Sequence, residues 1–393
     1  MKSAKAGWIS QEVIFLLILV AAFALRLYVA TTSAYLADEY ENAIPLAETI
    51  SFELGQLNLP IRGIHHPALP SYFVKASSML AGKTPLGYRF LHVVAGLFTI
   101  FMIYRVANDW FGATTATWAA ALLAFNEYHI GVSAFATAKG PHLLFVTLTI
   151  YAFSRFLRMQ QLAYLYVAGA TTGLAFYCKE HSVLLIPVFF LTLLQARYRH
   201  WFRSSHVYLA CAVFLVVIGP DILWNLRTTH SDVQATYRDH LSRIGGVGFT
   251  AHYFLFFARD AFQWFHTTVT GDRLVDTVAE NPSMNWIFGS LLLGAVLAAT
   301  LRPVNENGNR GFLLILFWVV LGFFVMIRPG EPPKDLDDVT WYWVDATLFP
   351  AVILAGSYLE KAAGPWRRPV YCVTGCAILY AIAQTIGLIG YGL

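Results

Sequence analysis

Apolar residues in this chain come in long blocks separated by short polar connections. The first block runs from Gln11 to Ala30. Others cover 87–106, 111–130, 138–157, 162–178, 181–196, 206–225, 284–301, 311–328, 342–359 and 370–391. Most are about 17–22 residues long, the length an α-helix needs to cross the hydrocarbon core of a bilayer. The pattern predicts an all-α polytopic membrane protein with about eleven spanning helices, forming one domain over 1–393. Lys2 and Lys5 precede the first block, as in a signal peptide. The block is long for a signal and no A-x-A site follows it, so it reads as an uncleaved span.

Two connections break the rhythm, at 31–85 and 226–283. In the first, Ile44–Ile50 reads as a short helix with Pro45 in its first turn. The stretch His66–Lys75 reads as a turn leading into an amphipathic helix. In the second, Phe249–Phe265 is rich in aromatic residues but carries His252, Arg259 and Asp260. That mixture predicts a helix lying at the membrane interface.

Charge then orients the spans. With a cytoplasmic N-terminus, the inner connections are Arg105–Asp109, Arg155–Arg158, Arg197–Arg203, Arg302–Arg310 and Lys361–Arg368, each carrying Lys or Arg. The outer ones include the acidic stretches Asp38–Glu53 and Glu331–Asp338. This is the alternation of the positive-inside rule. Composition agrees: 57% of residues are hydrophobic and 13% charged, against about 25% charged in soluble domains. A net charge of +4 gives no reason to expect nucleic acid. Four cysteines, all in or beside apolar blocks, imply no disulfide framework.

Charged groups at a membrane surface are costly and mark candidate chemistry. Asp38-Glu39-Tyr40-Glu41 follows the first span directly. Such carboxylates serve as a catalytic base, bind a cation, or only solvate the loop. Ile64-His65-His66-Pro67 reads equally as a polar turn. Lys179-Glu180-His181 sits between two apolar blocks with barely any loop, where a lysine either snorkels or faces a cavity. Arg89 and His92 open the second span; Lys139 and His142 open the fourth. All fall on the same, outer side, and that convergence outweighs any single residue.

The order of these elements resembles a known class. A first span is followed by Ala37-Asp38-Glu39-Tyr40, then His66-Pro67-Ala68-Leu69, then Gly87-Tyr88-Arg89-Phe90-Leu91-His92. This is similar to the GT-C class of polyprenyl-phosphate-sugar glycosyltransferases, and within it to protein O-mannosyltransferases and bacterial aminoarabinose transferases. The segment Tyr104–Gly112 is similar to the cytoplasmic Arg-x-Leu-Phe-Gly turn of that class, and Ala170–Lys179 to its Gly-Leu-Ala-x-x-x-x-Lys element. The resemblance covers about residues 10–230 in order. Ala68 replaces the second proline of the His-Pro-Pro element, and Lys139 and His142 stand where many relatives have Arg and Asp.

The resemblance implies a single in-line displacement with inversion on the outer, periplasmic face of an inner membrane. The donor is a polyprenyl-phosphate-linked sugar; the acceptor is a glycan, lipid or protein. Such transfer needs a base for the acceptor and cations for the departing phosphate. Asp38 is the candidate base, with Glu39 as helper or acceptor binder. Lys179, Arg89, Lys139 and Lys75 are the candidate phosphate cations, and His66 a further substrate-binding residue. No cofactor is essential, although carboxylates and histidines in one loop leave room for a divalent metal. The competing expectation is a transporter or lipid flippase that uses the same outer-face charges. Transporters place such groups near the bilayer midplane.

Overall fold

The computed structural model describes residues 10–36, 38–62, 67–227, 286–301, 308–326, 337–362 and 367–386. The first half consists of α1 (Gln11–Thr32), α2 (Ile44–Thr49), α3 (Leu69–Ala81), α4 (Pro85–Phe111), α5 (Ala113–Ala124), α6 (Glu127–Ala134), α7 (Lys139–Met159), α8 (Leu162–Phe176), α9 (Leu185–Leu193) and α10 (Ser205–Arg227). Four more follow: α11 (Trp286–Leu301), α12 (Gly308–Met326), α13 (Asp337–Lys361) and α14 (Arg367–Thr385). The chain is a helical, multi-span membrane protein, as the apolar blocks predict. By length and composition alone, Gln11–Thr32, Pro85–Phe111 and Ser205–Trp224 are long and apolar enough to cross a membrane. His66, the 228–283 part of the second long connection and the Phe249–Phe265 helix expected there lie outside the described residues.

Helix ends follow local chemistry. Ser10 caps α1, its side chain accepting from the Val13 N–H. Thr84 caps α4 through the Gly87 N–H, with Pro85 in the first turn. Gly82 and Gly112 end α3 and α4 at φ +84° and +96°, a region that favours glycine. The block at 111–130 is not one helix. Asn126, an N-cap residue inside the apolar run, starts α6 by accepting the His129 N–H at 3.1 Å.

That break creates the polar centre of the bundle. The Arg26 side chain, fully buried in α1, donates to Ser133 Oγ at 2.8 Å, His129 Nδ1 at 2.7 Å, and the Ala22 and Ala124 carbonyls at 3.0 Å. Ala124 ends α5, so its carbonyl is one that the broken helix orphans. The intramembrane cation and the broken helix therefore satisfy each other. Gly96 of α4 admits this cluster, because a Cβ there would lie 2.3 Å from the Ser133 Cβ.

The two ends of the bundle are distinct. At one, Asp109 in the last turn of α4 pairs with Arg155 at 3.1 Å and Arg158 at 3.2 Å near the end of α7. Phe15, at the start of α1, stacks on Tyr104 near the same end. The end of α1 and the start of α4 meet at the other (below). The connections Arg105–Asp109 and Arg155–Arg158 thus meet at one end.

Small residues bring α8 and α10 together. A Cβ on Gly169 would lie 2.4 Å from the Ala210 carbonyl oxygen, and one on Gly173 2.6 Å from Val217 Cγ1. Close backbone approach of this kind binds helices in lipid, where burial from water cannot. Gly169→Leu should therefore lower thermal stability by about 1–3 kcal/mol, the usual cost of overpacking. Gly294→Ala is the control, since nothing lies within 4 Å of its Cβ position. Equal unfolding temperatures for the two variants would refute close α8–α10 packing.

Candidate active site

The site begins where α1 ends. Residues 38–43 form a short π-helical turn. Glu39 points inward and is fully buried, while Asp38 beside it is exposed. The Glu39 carboxylate accepts the Leu36 N–H at 2.9 Å, the Ala136 N–H at 2.7 Å, Arg89 Nε at 2.8 Å and Arg89 Nη2 at 2.5 Å. Arg89 is equally committed. Its Nη1 donates to the Ala30 and Ser33 carbonyls, and its Nη2 also to the Ala34 carbonyl. A guanidinium has five N–H donors, and these bonds use every one. The rings of Tyr35 and Phe135 lie over it at 5.2 and 4.8 Å.

This corrects two sequence expectations. Arg89 has no donor left for a phosphate, and Glu39 has no face left for an acceptor. Together they are a fixture that ties the end of α1 to α4 and to the turn after α6. The fixture holds the residue next to it, Asp38, at the surface.

Opposite stands Lys179, at the end of α8. It is 4% exposed and precedes a 3₁₀ turn, Glu180–Leu184. Burial pulls its ammonium below the ordinary 10.5 to about 8. Nearby negative charge opposes that shift, Asp38 more than the chain neighbour Glu180. The turn is braced from α7: His142 Nε2 meets Ser182 Oγ at 2.8 Å, and that hydroxyl donates to the Lys179 carbonyl at 2.9 Å. The His181 ring packs edge-on against His142. Arg62 of the first loop donates to Glu180 Oε1 at 2.5 Å and to both carboxylate oxygens of Asp221 at 3.0 and 3.1 Å.

The remaining candidates divide. Lys139 is buried at the first residue of α7. Lys75 is half-buried on α3, and its charge acts on Glu48. A hydrogen bond from Lys83 holds the Glu48 carboxyl below its ordinary range, and Tyr88 also donates to it, at 3.1 Å. Asp38 and Lys179 thus lie within electrostatic reach of each other, while the charge of Lys75 acts on a separate cluster around Glu48. Sequence reasoning missed Arg62 and Asp221. Asp221, an acid inside the block at 206–225, was itself the signal. Among the described residues, no group of three or more His, Cys, Asp or Glu side chains is arranged to hold a metal ion.

Comparison with known proteins agrees with this geometry. Residues 65–224 match the family model for dolichyl-phosphate-mannose-protein mannosyltransferase. An uncharacterized protein of Aquifex aeolicus is 26% identical over 193 residues, covering 46% of this chain and 38% of that protein. The crystal structure of ArnT from Cupriavidus metallidurans bound to undecaprenyl phosphate superposes with a TM-score of 0.65 at 16% identity, over 95% of this chain and 65% of that one. The Archaeoglobus fulgidus oligosaccharyltransferase tethered to an acceptor peptide gives 0.54 at 13% identity, over 94% and 55%. The chain thus spans less than two thirds of the length of each of these relatives. Residues 65–224 thus carry the pattern of that mannosyltransferase family, and the fold over nearly the whole chain is the one seen in these membrane proteins.

Proposed function

We propose that this protein is a membrane glycosyltransferase. It moves a sugar from a polyprenyl-phosphate carrier to a glycan, lipid or protein acceptor on the outer, periplasmic face of the inner membrane. The observation that carries the reading is that the charge of exposed Asp38 acts on the buried Lys179 ammonium at one end of the bundle. Asp38 takes the proton of the acceptor hydroxyl or amine as that atom attacks the anomeric carbon. The bond from that carbon to the phosphate oxygen breaks with inversion, and the phosphate leaves with its charge met by Lys179. Placing the cation in a dry site strengthens its hold on the anion. The ArnT structure with undecaprenyl phosphate supports a polyprenyl carrier, and the peptide-bound oligosaccharyltransferase supports an acceptor approaching the same fold. A cytoplasmic N-terminus follows from the basic connections. No step needs a cofactor. Arg26, deep in the bundle, is bonded within it to Ser133, His129 and two backbone carbonyls.

Equilibrium binding of farnesyl phosphate to purified protein tests this. Lys179→Met should weaken binding by about 1.5–3 kcal/mol, the usual worth of a hydrogen bond to a charged group. The ammonium is present below its value of about 8 and lost above it, so wild-type affinity should fall as pH rises through that region. The bound anion moves the fall upward, and Lys179→Met should flatten it. Unchanged affinity in Lys179→Met would remove Lys179 from the donor site.

A further inference from the structure

Arg62 has no part in the reaction as derived above, yet its side chain is only 5% exposed and carries three bonds to two carboxylates. It comes from the first outer loop and reaches both Glu180, beside Lys179, and Asp221 in α10. We propose that Arg62 is a positioning residue for the lipid phosphate: by holding Glu180, it keeps that carboxylate from competing with the phosphate for Lys179. The inference rests on the reading of Lys179 as the phosphate cation.

Three observations support it. Lys179 has extended backbone, φ −153° and ψ 125°, so its side chain and that of Glu180 leave the chain in different directions. Glu180 therefore has a way to face a partner other than its neighbour. Arg62 is that partner, at the short distance of a charge-assisted bond. Its fork also spans the two oxygens of Asp221, which anchors the guanidinium to α10. Removing Arg62 would take a guanidinium away from two carboxylates beside the proposed anion site. The nearest cation in sequence to Glu180 would then be Lys179 itself.

The test is a double-mutant cycle read by farnesyl phosphate binding. Arg62→Met should weaken binding about tenfold or more, and Glu180→Gln alone should leave it equal or tighter. The double variant should return to within about threefold of Glu180→Gln, because the competitor is gone. Removing Arg62 also takes its guanidinium from Asp221, so the same cycle is also run in the Asp221→Asn background, where that carboxylate is absent. A double variant as weak as Arg62→Met in both backgrounds would overturn the proposal and make Arg62 a direct ligand. Unchanged affinity in Arg62→Met would overturn it too. No binding by the wild-type protein would instead sink the proposed function, and this inference with it.

Discussion

Asp38→Asn is expected to lower sugar transfer by two or more orders of magnitude, about the worth of a general base. The variant should insert and unfold like the wild type. The change keeps the shape of the side chain and removes the proton acceptor. Asp38 is exposed, and the bonds of the Glu39–Arg89 pair do not involve it. Binding of farnesyl phosphate should change little or tighten, because a negative charge facing Lys179 is lost. Near-normal turnover in Asp38→Asn would end the assignment of the base.

The largest effect on stability is expected one residue along. Arg89→Met should destabilise the protein by about 3–5 kcal/mol, the cost of stranding one partner of a buried ion pair. Both side chains are fully buried, and the pair holds five backbone groups besides itself. Glu39→Gln should cost somewhat less, since the amide oxygen still accepts. Arg89→Met combined with Glu39→Met should recover part of the loss, because no unpaired charge remains. Thermal unfolding in detergent measures all three. An unchanged unfolding temperature in Arg89→Met, together with lost phosphate binding, would return Arg89 to the donor site.

These two predictions show what the sequence carries and what it hides. The spans are legible because a bilayer demands about twenty apolar residues in a row. The expected block at 11–30 is α1 at Gln11–Thr32, and the expected short helix at 44–50 is α2 at Ile44–Thr49. Hydropathy averaged over the block did not reveal the break at Asn126, because its polar neighbours Glu127 and His129 are outnumbered by the apolar residues around them. Its cause is a tertiary partner, Arg26, a hundred residues earlier. At Asp38-Glu39 the sequence offers two adjacent carboxylates without saying which faces inward. Arg89 decides that by meeting Glu39 across fifty residues. For the same reason Arg89 looked like a phosphate cation: a lone arginine at the start of a span has no visible partner until the chain is folded.

The central claim is that a lipid phosphate sits between Lys179 and Asp38. It is tested most directly by determining the structure of the purified protein with undecaprenyl phosphate bound. The account predicts the phosphate within hydrogen-bond reach of Lys179 Nζ, with Asp38 on the side open to the acceptor and the Glu39–Arg89 pair unbroken. A phosphate bound elsewhere, touching neither Lys179 nor the Asp38 surface, would contradict it.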